Sequence, residues 1–224
     1  MAITDLLAPL GTIPTAFAAL MPVVNPFGTA IIILGLVGAQ PPALYRRLAG
    51  RVAVLMLVFI AVVELVGQWL LHFFGISLPV MQFVGGLTLA AMGWRTLASG
   101  GQSATATHSA PQGDGDALMA RAFYPFTFPL TVGPGTMVVV LTLSAHATRG
   151  NTVDTLLAHA GIFIGAILQA LLVYVSYRAA PRLAERLSPS AINAIQQLMA
   201  FILLCIGGQI AWGGVVALAA QLPH

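Results

Sequence analysis

The chain has 224 residues, 58% of them hydrophobic and 7% charged, with a net charge of +3. Soluble domains carry about 25% charged residues, so the composition excludes a soluble globular domain and points to an all-α polytopic membrane protein. The nine basic residues are all arginine; in a membrane chain such a surplus marks cytoplasmic loops, and nucleic-acid binding is not expected.

Met1 to Leu10 carries Asp5 and no basic residue. It lacks the positive n-region of a signal peptide, so the first span is expected to remain in the mature protein. Six apolar stretches follow, at 12–38, 49–72, 76–97, 122–146, 153–177 and 192–217. Each is long enough to cross about 30 Å of hydrocarbon. The first contains Pro22-Val23-Val24-Asn25-Pro26-Phe27-Gly28-Thr29, where proline and glycine should break the helix. The loop after it holds Pro41, Pro42, Arg46, Arg47 and Arg51. The second stretch contains Glu64, an acid deep in an apolar run, and a tight connection from His72 to Ser77 leads to the third. Ala98 to Ala120, with Asp114 and Asp116, is rich in Gly, Ser, Thr and Ala and reads as a linker. The fourth stretch contains Pro129-Leu130-Thr131-Val132-Gly133-Pro134-Gly135-Thr136, a second expected break. Arg149, Gly150 and Asn151 form the next loop, and Arg178, Arg182, Glu185 and Arg186 lie in the last.

Arginine placement orients these spans. Arg46, Arg47, Arg51, Arg95, Arg121, Arg178, Arg182 and Arg186 fall on one side and Arg149 on the other. The positive-inside rule places the crowded side in the cytoplasm and both termini outside. The two motifs superpose without a gap, since 129 − 22 = 107 and the same offset carries Gly28 to Gly135 and Thr29 to Thr136. Three spans per half is odd, so the second half must insert upside down. The expected architecture is therefore two inverted three-helix repeats, 1–97 and 122–224, joined by a cytoplasmic linker at 98–121. The first helix of each repeat is broken near mid-membrane. Paired breaks of this kind point to a transporter's binding site.

Pro26 and Pro134 suit the first turn of a restarted helix, with Asn25 placed to cap one of them. A helix N-terminus carries about half a positive charge and free amides, a site for a carboxylate. Carbonyls freed near Met21, Pro22 and Leu130 would receive an ammonium group. Asn25, Pro26, Gly28, Thr29, Gly133, Pro134, Gly135 and Thr136 are thus the expected binding residues for a small zwitterion. Glu64 is the candidate for coupling transport to H+ or Na+; its alternative role is a protonated acid bonded to a neighbour such as Gln68. His72, His146 and His159 are expected near the outer interface, without metal-binding spacing. Gln82, Gln197 and Gln209 are candidates to line a cavity, Cys205 for a packed thiol, and Trp69, Trp94 and Trp212 for interfacial anchors. No P-loop or convincing catalytic set is present, so neither ATP, another cofactor nor an enzymatic reaction is expected. Oligomerisation is left open.

The motifs Val24-Asn25-Pro26-Phe27-Gly28, Phe74-Gly75-Ile76-Ser77 with Gly85-Gly86, and Pro129-Leu130-Thr131-Val132-Gly133-Pro134-Gly135 resemble those of the MarC family. That family is also called UPF0056 or the small neutral amino acid transporter family. The resemblance runs over nearly the whole chain. It implies a six-span bacterial inner-membrane protein related to LysE-type exporters, carrying glycine, alanine and similar amino acids. The chain departs from the family in having Gln197-Leu198-Met199-Ala200 where members often have Arg-x-Met-Gly, and in having Glu64. The alternatives to amino-acid export are efflux of other small molecules or drugs, and a membrane binding or regulatory protein that does not transport.

Overall fold

The computed structural model describes residues 11–38, 40–100, 115–147 and 152–221. Among them there is no strand. Two helices, α1 (Thr12–Val24) and α2 (Pro26–Val37), make the first span, interrupted at Asn25. The long helix α3 (Pro42–Phe73) follows, then α4 (Leu78–Ala98) and a short α5 (Gly115–Ala120). A kinked stretch, the π segment (Ala122–Thr131), leads into α6 (Pro134–Ala147). The remainder is α7 (Thr152–Arg178), α8 (Ala180–Arg186) and α9 (Pro189–Ala219).

By length and composition four of these stand as membrane spans: Thr12–Val37, Pro42–Phe73, Thr152–Arg178 and Pro189–Ala219. The π segment and α6, bent by 64°, make a fifth when taken together. The remaining expected span, the third in chain order, is α4, with 21 residues, but Gln82, its glycines and Arg95 dilute its apolar character below that of the others. Other boundaries moved as well. Helix α3 starts at Pro42 rather than at residue 49, because proline is favoured in the first turn and arginine is a good helix former. Arg46 and Arg47 therefore lie on a helical extension, not in a loop, and Arg51 lies within the same helix. The end of the expected linker and much of the last loop are also helical, as α5 and α8. Asp5, Asp114, Arg149, Gly150 and Asn151 lie outside the described residues.

The apolar residues of α3 divide by face. Tyr45, Leu48, Val52, Met56, Ile60 and Val63 recur at helical spacing and are buried, while Val54, Val58, Val62, Leu65 and Trp69 are exposed. A helix apolar all round with one buried stripe is what a bundle in lipid requires. Trp94 and Trp212 are likewise exposed. The buried stripe of α3 packs on α7, which also carries α1 and α2; α6 packs between α3 and α4. Helix α4 pairs most extensively with α9. There the backbones touch: a Cβ on Gly93 would stand 2.7 Å from the Ala200 carbonyl oxygen, and one on Gly214 2.6 Å from that of Pro79. Small residues permit this approach, and in lipid such packing rather than hydrophobic burial holds helices together.

Candidate functional site: a cavity between two interrupted helices

The first interruption is made by two prolines and an asparagine. Asn25 ends α1 in the left-handed conformation (φ 44°, ψ 62°), which asparagine tolerates better than most residues. Its amide donates to the Met21 carbonyl at 2.8 Å, and its Oδ1 accepts from the Gly28 amide at 3.2 Å. The expected cap is therefore formed, with two consequences for the expected site. The Gly28 amide is used within the chain and is not offered to a ligand, and the Met21 carbonyl is likewise occupied. Gly28 serves packing instead: a Cβ there would collide with the Asn25 side chain. The Thr29 hydroxyl donates to the Asn25 carbonyl at 2.9 Å, tightening the turn.

The second interruption is larger. The chain is kinked twice through Ala122–Thr131, with extended backbone at Tyr124 and Phe128, each followed by a cis peptide bond to Pro125 and Pro129. Val132 is extended, and the helix restarts at Pro134. The Gly133 amide points to the Thr136 Oγ1 at 3.4 Å. The first-turn amides of α6 at Gly135 and Thr136 have no intrahelical acceptor, as at any helix start. Gly135 brings α6 close to its neighbours, since a Cβ would lie 2.7 Å from Leu89 Cδ2 and 3.3 Å from Val23 Cγ1.

Both interruptions open on one cavity of about 370 Å³. Asn25 and Thr29 line it from the first span, and Gly133, Pro134, Gly135 and Thr136 from the other. Pro26 and Gly28 do not; Gly28 faces a small apolar crevice beside Leu183 and Ile192 instead. Pro22 and Leu130 also line the cavity. Their carbonyls stand four residues before Pro26 and Pro134, which have no amide to give them. Among the described residues neither receives a backbone hydrogen bond from outside its own helix. The lining thus combines free carbonyls, first-turn amides and the buried hydroxyls of Thr29 and Thr136.

Two further residues complete the site. Arg95, in the last turn of α4, lines the same cavity with Met92 and Thr96 and is exposed at its edge. Its position at a span end marks it in the sequence only as an orientation signal. Tyr177 of α7 is buried, at 1% exposure, and its hydroxyl meets Thr131 Oγ1 at 2.7 Å. Thr131 Oγ1 donates to the Phe126 carbonyl at 2.6 Å, so the tyrosine is the donor to Thr131. Thr29 of the first span lies beside the same hydroxyl. One tyrosine thereby touches both interrupted spans. In the sequence it is an aromatic near a span end, with nothing to say which helices it joins.

Glu64 lies apart from the cavity. Its Oε1 meets His159 Nδ1 at 2.5 Å, with side-chain exposures of 1% for the acid and 26% for the histidine. Gln68, one turn on, donates to Ser144 at 3.0 Å. The acid's partner is thus His159 of α7, a residue the sequence places only near an interface. Gln82 is buried, Gln197 and Gln209 are exposed, and none of the three lines the cavity. Cys205 is exposed rather than packed, because it falls on the outer face of α9. Among the described residues no group of three metal-binding side chains occurs.

The fold and this site define an integral membrane protein whose interrupted helices line one shared cavity. The family model described as MarC family integral membrane protein matches residues 10–219, and the chain belongs to that family. It is similar to the UPF0056 inner membrane protein MarC of Escherichia coli strain K12. The two are 29% identical over 201 residues, covering 88% of this chain and 90% of the relative. The UPF0056 inner membrane protein MarC of Escherichia coli O1:K1 / APEC is as similar. No solved structure matches.

Proposed function

We propose that the protein is a secondary transporter of small neutral amino acids of the glycine and alanine type, exporting them by alternating access across the inner membrane. The observation that carries this reading is the single cavity onto which both interruptions open. The substrate carboxylate binds the Gly135 and Thr136 amides and Arg95; the ammonium group binds the Pro22 and Leu130 carbonyls. A volume of about 370 Å³ is near the lower end of ligand cavities, roughly 300–1,000 Å³, and favours a small solute over a bulky drug. The lining holds dipoles for both ends of a zwitterion and no set of nucleophile and base, which favours carriage over catalysis.

We take the six helical units as two inverted repeats, 1–97 and 122–224, with both termini outside and the linker 98–121 in the cytoplasm. The pairing of helices supports this: α3 packs on α7 and α4 on α9, as second and third members of each repeat would across a two-fold axis. The cross-contacts match too, with α1 and α2 against α7 and the π segment and α6 against α3. The α4–α9 pair then rocks against the rest, with the cavity at the boundary. The Glu64–His159 pair carries the coupling proton; no cofactor takes part.

The test is uptake of radiolabelled alanine and glycine by proteoliposomes under imposed proton or sodium gradients. Flux above empty vesicles is expected, with a raised KM in Arg95→Gln. Ligand-induced thermal stabilisation without counterflow would instead favour a binding protein that does not transport.

A further inference from the structure

A second cavity, of about 390 Å³, lies where the start of α3 meets the end of α7 and α8. Three arginines line it, Arg46, Arg178 and Arg182, between Pro42 and Pro181. Each comes from a different element, and none of the three makes an ion pair among the described residues. Glu185, one turn beyond Arg182, does not neutralise it, and the first turn of α3 has no acidic residue. Beside the guanidinium groups the wall is apolar: Val175 of the α7 span lines the same cavity and is 51% exposed. Three unpaired cations against an apolar, lipid-accessible wall suit a ligand with a charged head and a hydrocarbon tail.

We propose that this cavity binds a phosphodiester, that of an anionic phospholipid such as phosphatidylglycerol. Guanidinium forks match phosphate oxygens in bidentate geometry. Basic pockets between spans on the arginine-rich side are suited to anionic headgroups, which also sit at the depth of the span ends. The arginine-free Val175 face continues into the bilayer, where the acyl chains lie. A headgroup held here ties α3 to α7, the pair that supports both interrupted spans. The assignment is independent of what the main cavity carries.

The test uses the purified full chain in detergent, with bound lipid read by native mass spectrometry and by thermal shift. Phosphatidylglycerol should remain bound when phosphatidylcholine is in excess. Arg46→Gln and Arg178→Gln should each weaken it about fivefold, the effect expected of one arginine near a membrane surface. Arg186→Gln, which removes the same charge from α8 outside the cavity, should leave binding unchanged. Arg178→Lys keeps the charge without the fork and provides an intermediate reading should a glutamine variant fail to fold. Equal retention of phosphatidylcholine, or an equal loss in Arg186→Gln, overturns the site. Displacement of phosphatidylglycerol by inorganic phosphate alone overturns the lipid as its occupant.

Discussion

Asn25 does two separable jobs, and three substitutions distinguish them. It caps α2 through its side chain, and it holds a left-handed backbone at φ 44°. Asn25→Ala loses both. An uncapped helix start costs about 1 kcal/mol and a left-handed alanine roughly 1–2 kcal/mol more, so about 2–3 kcal/mol is expected. Asn25→Gly loses the cap but relieves the backbone, and glycine at a cap costs only a few tenths of a kcal/mol. Asn25→Asp keeps the cap and adds a negative charge to the cavity wall. At an effective dielectric constant of about 20 and roughly 8 Å, a substrate carboxylate would be repelled by about 2 kcal/mol, or about 30-fold in affinity. Reversible unfolding in mixed micelles should therefore rank Ala well below Gly, with Asp near the wild type. Alanine flux should separate them differently, with Asp showing the largest rise in KM. Equal destabilisation by Ala and Gly would show that the left-handed turn is not what Asn25 is needed for. Unchanged flux in a stable Asp variant would remove the carboxylate from this cavity.

Arg95→Gln should raise KM for alanine about tenfold with little change in unfolding, because the group is exposed and forms no part of the core; an unchanged KM in proteoliposomes excludes it from the site. Glu64→Gln leaves His159 without its acid, and flux should no longer respond to an imposed proton gradient, as vesicle uptake at several pH values will show. Gly207→Leu forces a side chain into the Ala90 and Gly86 backbone; separation of α4 from α9 should cost about 2 kcal/mol or more, measured as lost thermal stability and poor membrane yield. Tyr177→Phe removes one buried hydrogen bond to Thr131 and should cost roughly 0.6 to 1.7 kcal/mol, with a larger effect on flux than on stability if the tyrosine aligns the two interruptions.

Local chemistry was legible in advance where neighbours in sequence suffice. Pro22, Asn25 and Pro26 lie within one helical turn of each other, so the interruption and its cap can be read from residue types alone. The same holds for Pro134 as a helix start. Gly28 shows the boundary of such reading. Its amide was expected to face a ligand, but a capping side chain three residues away took the bond first. The extent of the second interruption was also hidden, because the kinks at Tyr124 and Phe128 depend on what surrounds that segment as well as on its prolines.

Composition and the apolar runs by themselves settled that the chain is a helical membrane protein, and the paired motifs marked where its helices stop. These properties follow from backbone chemistry within a few residues. Tertiary structure alone decided that the two interruptions share a cavity, that Arg95 stands at its edge, that Tyr177 touches both and that Glu64 meets His159. Each of those contacts joins residues from different helices, 95 positions apart for Glu64 and His159. Their meeting depends on helix rotation and relative depth, which no local pattern encodes.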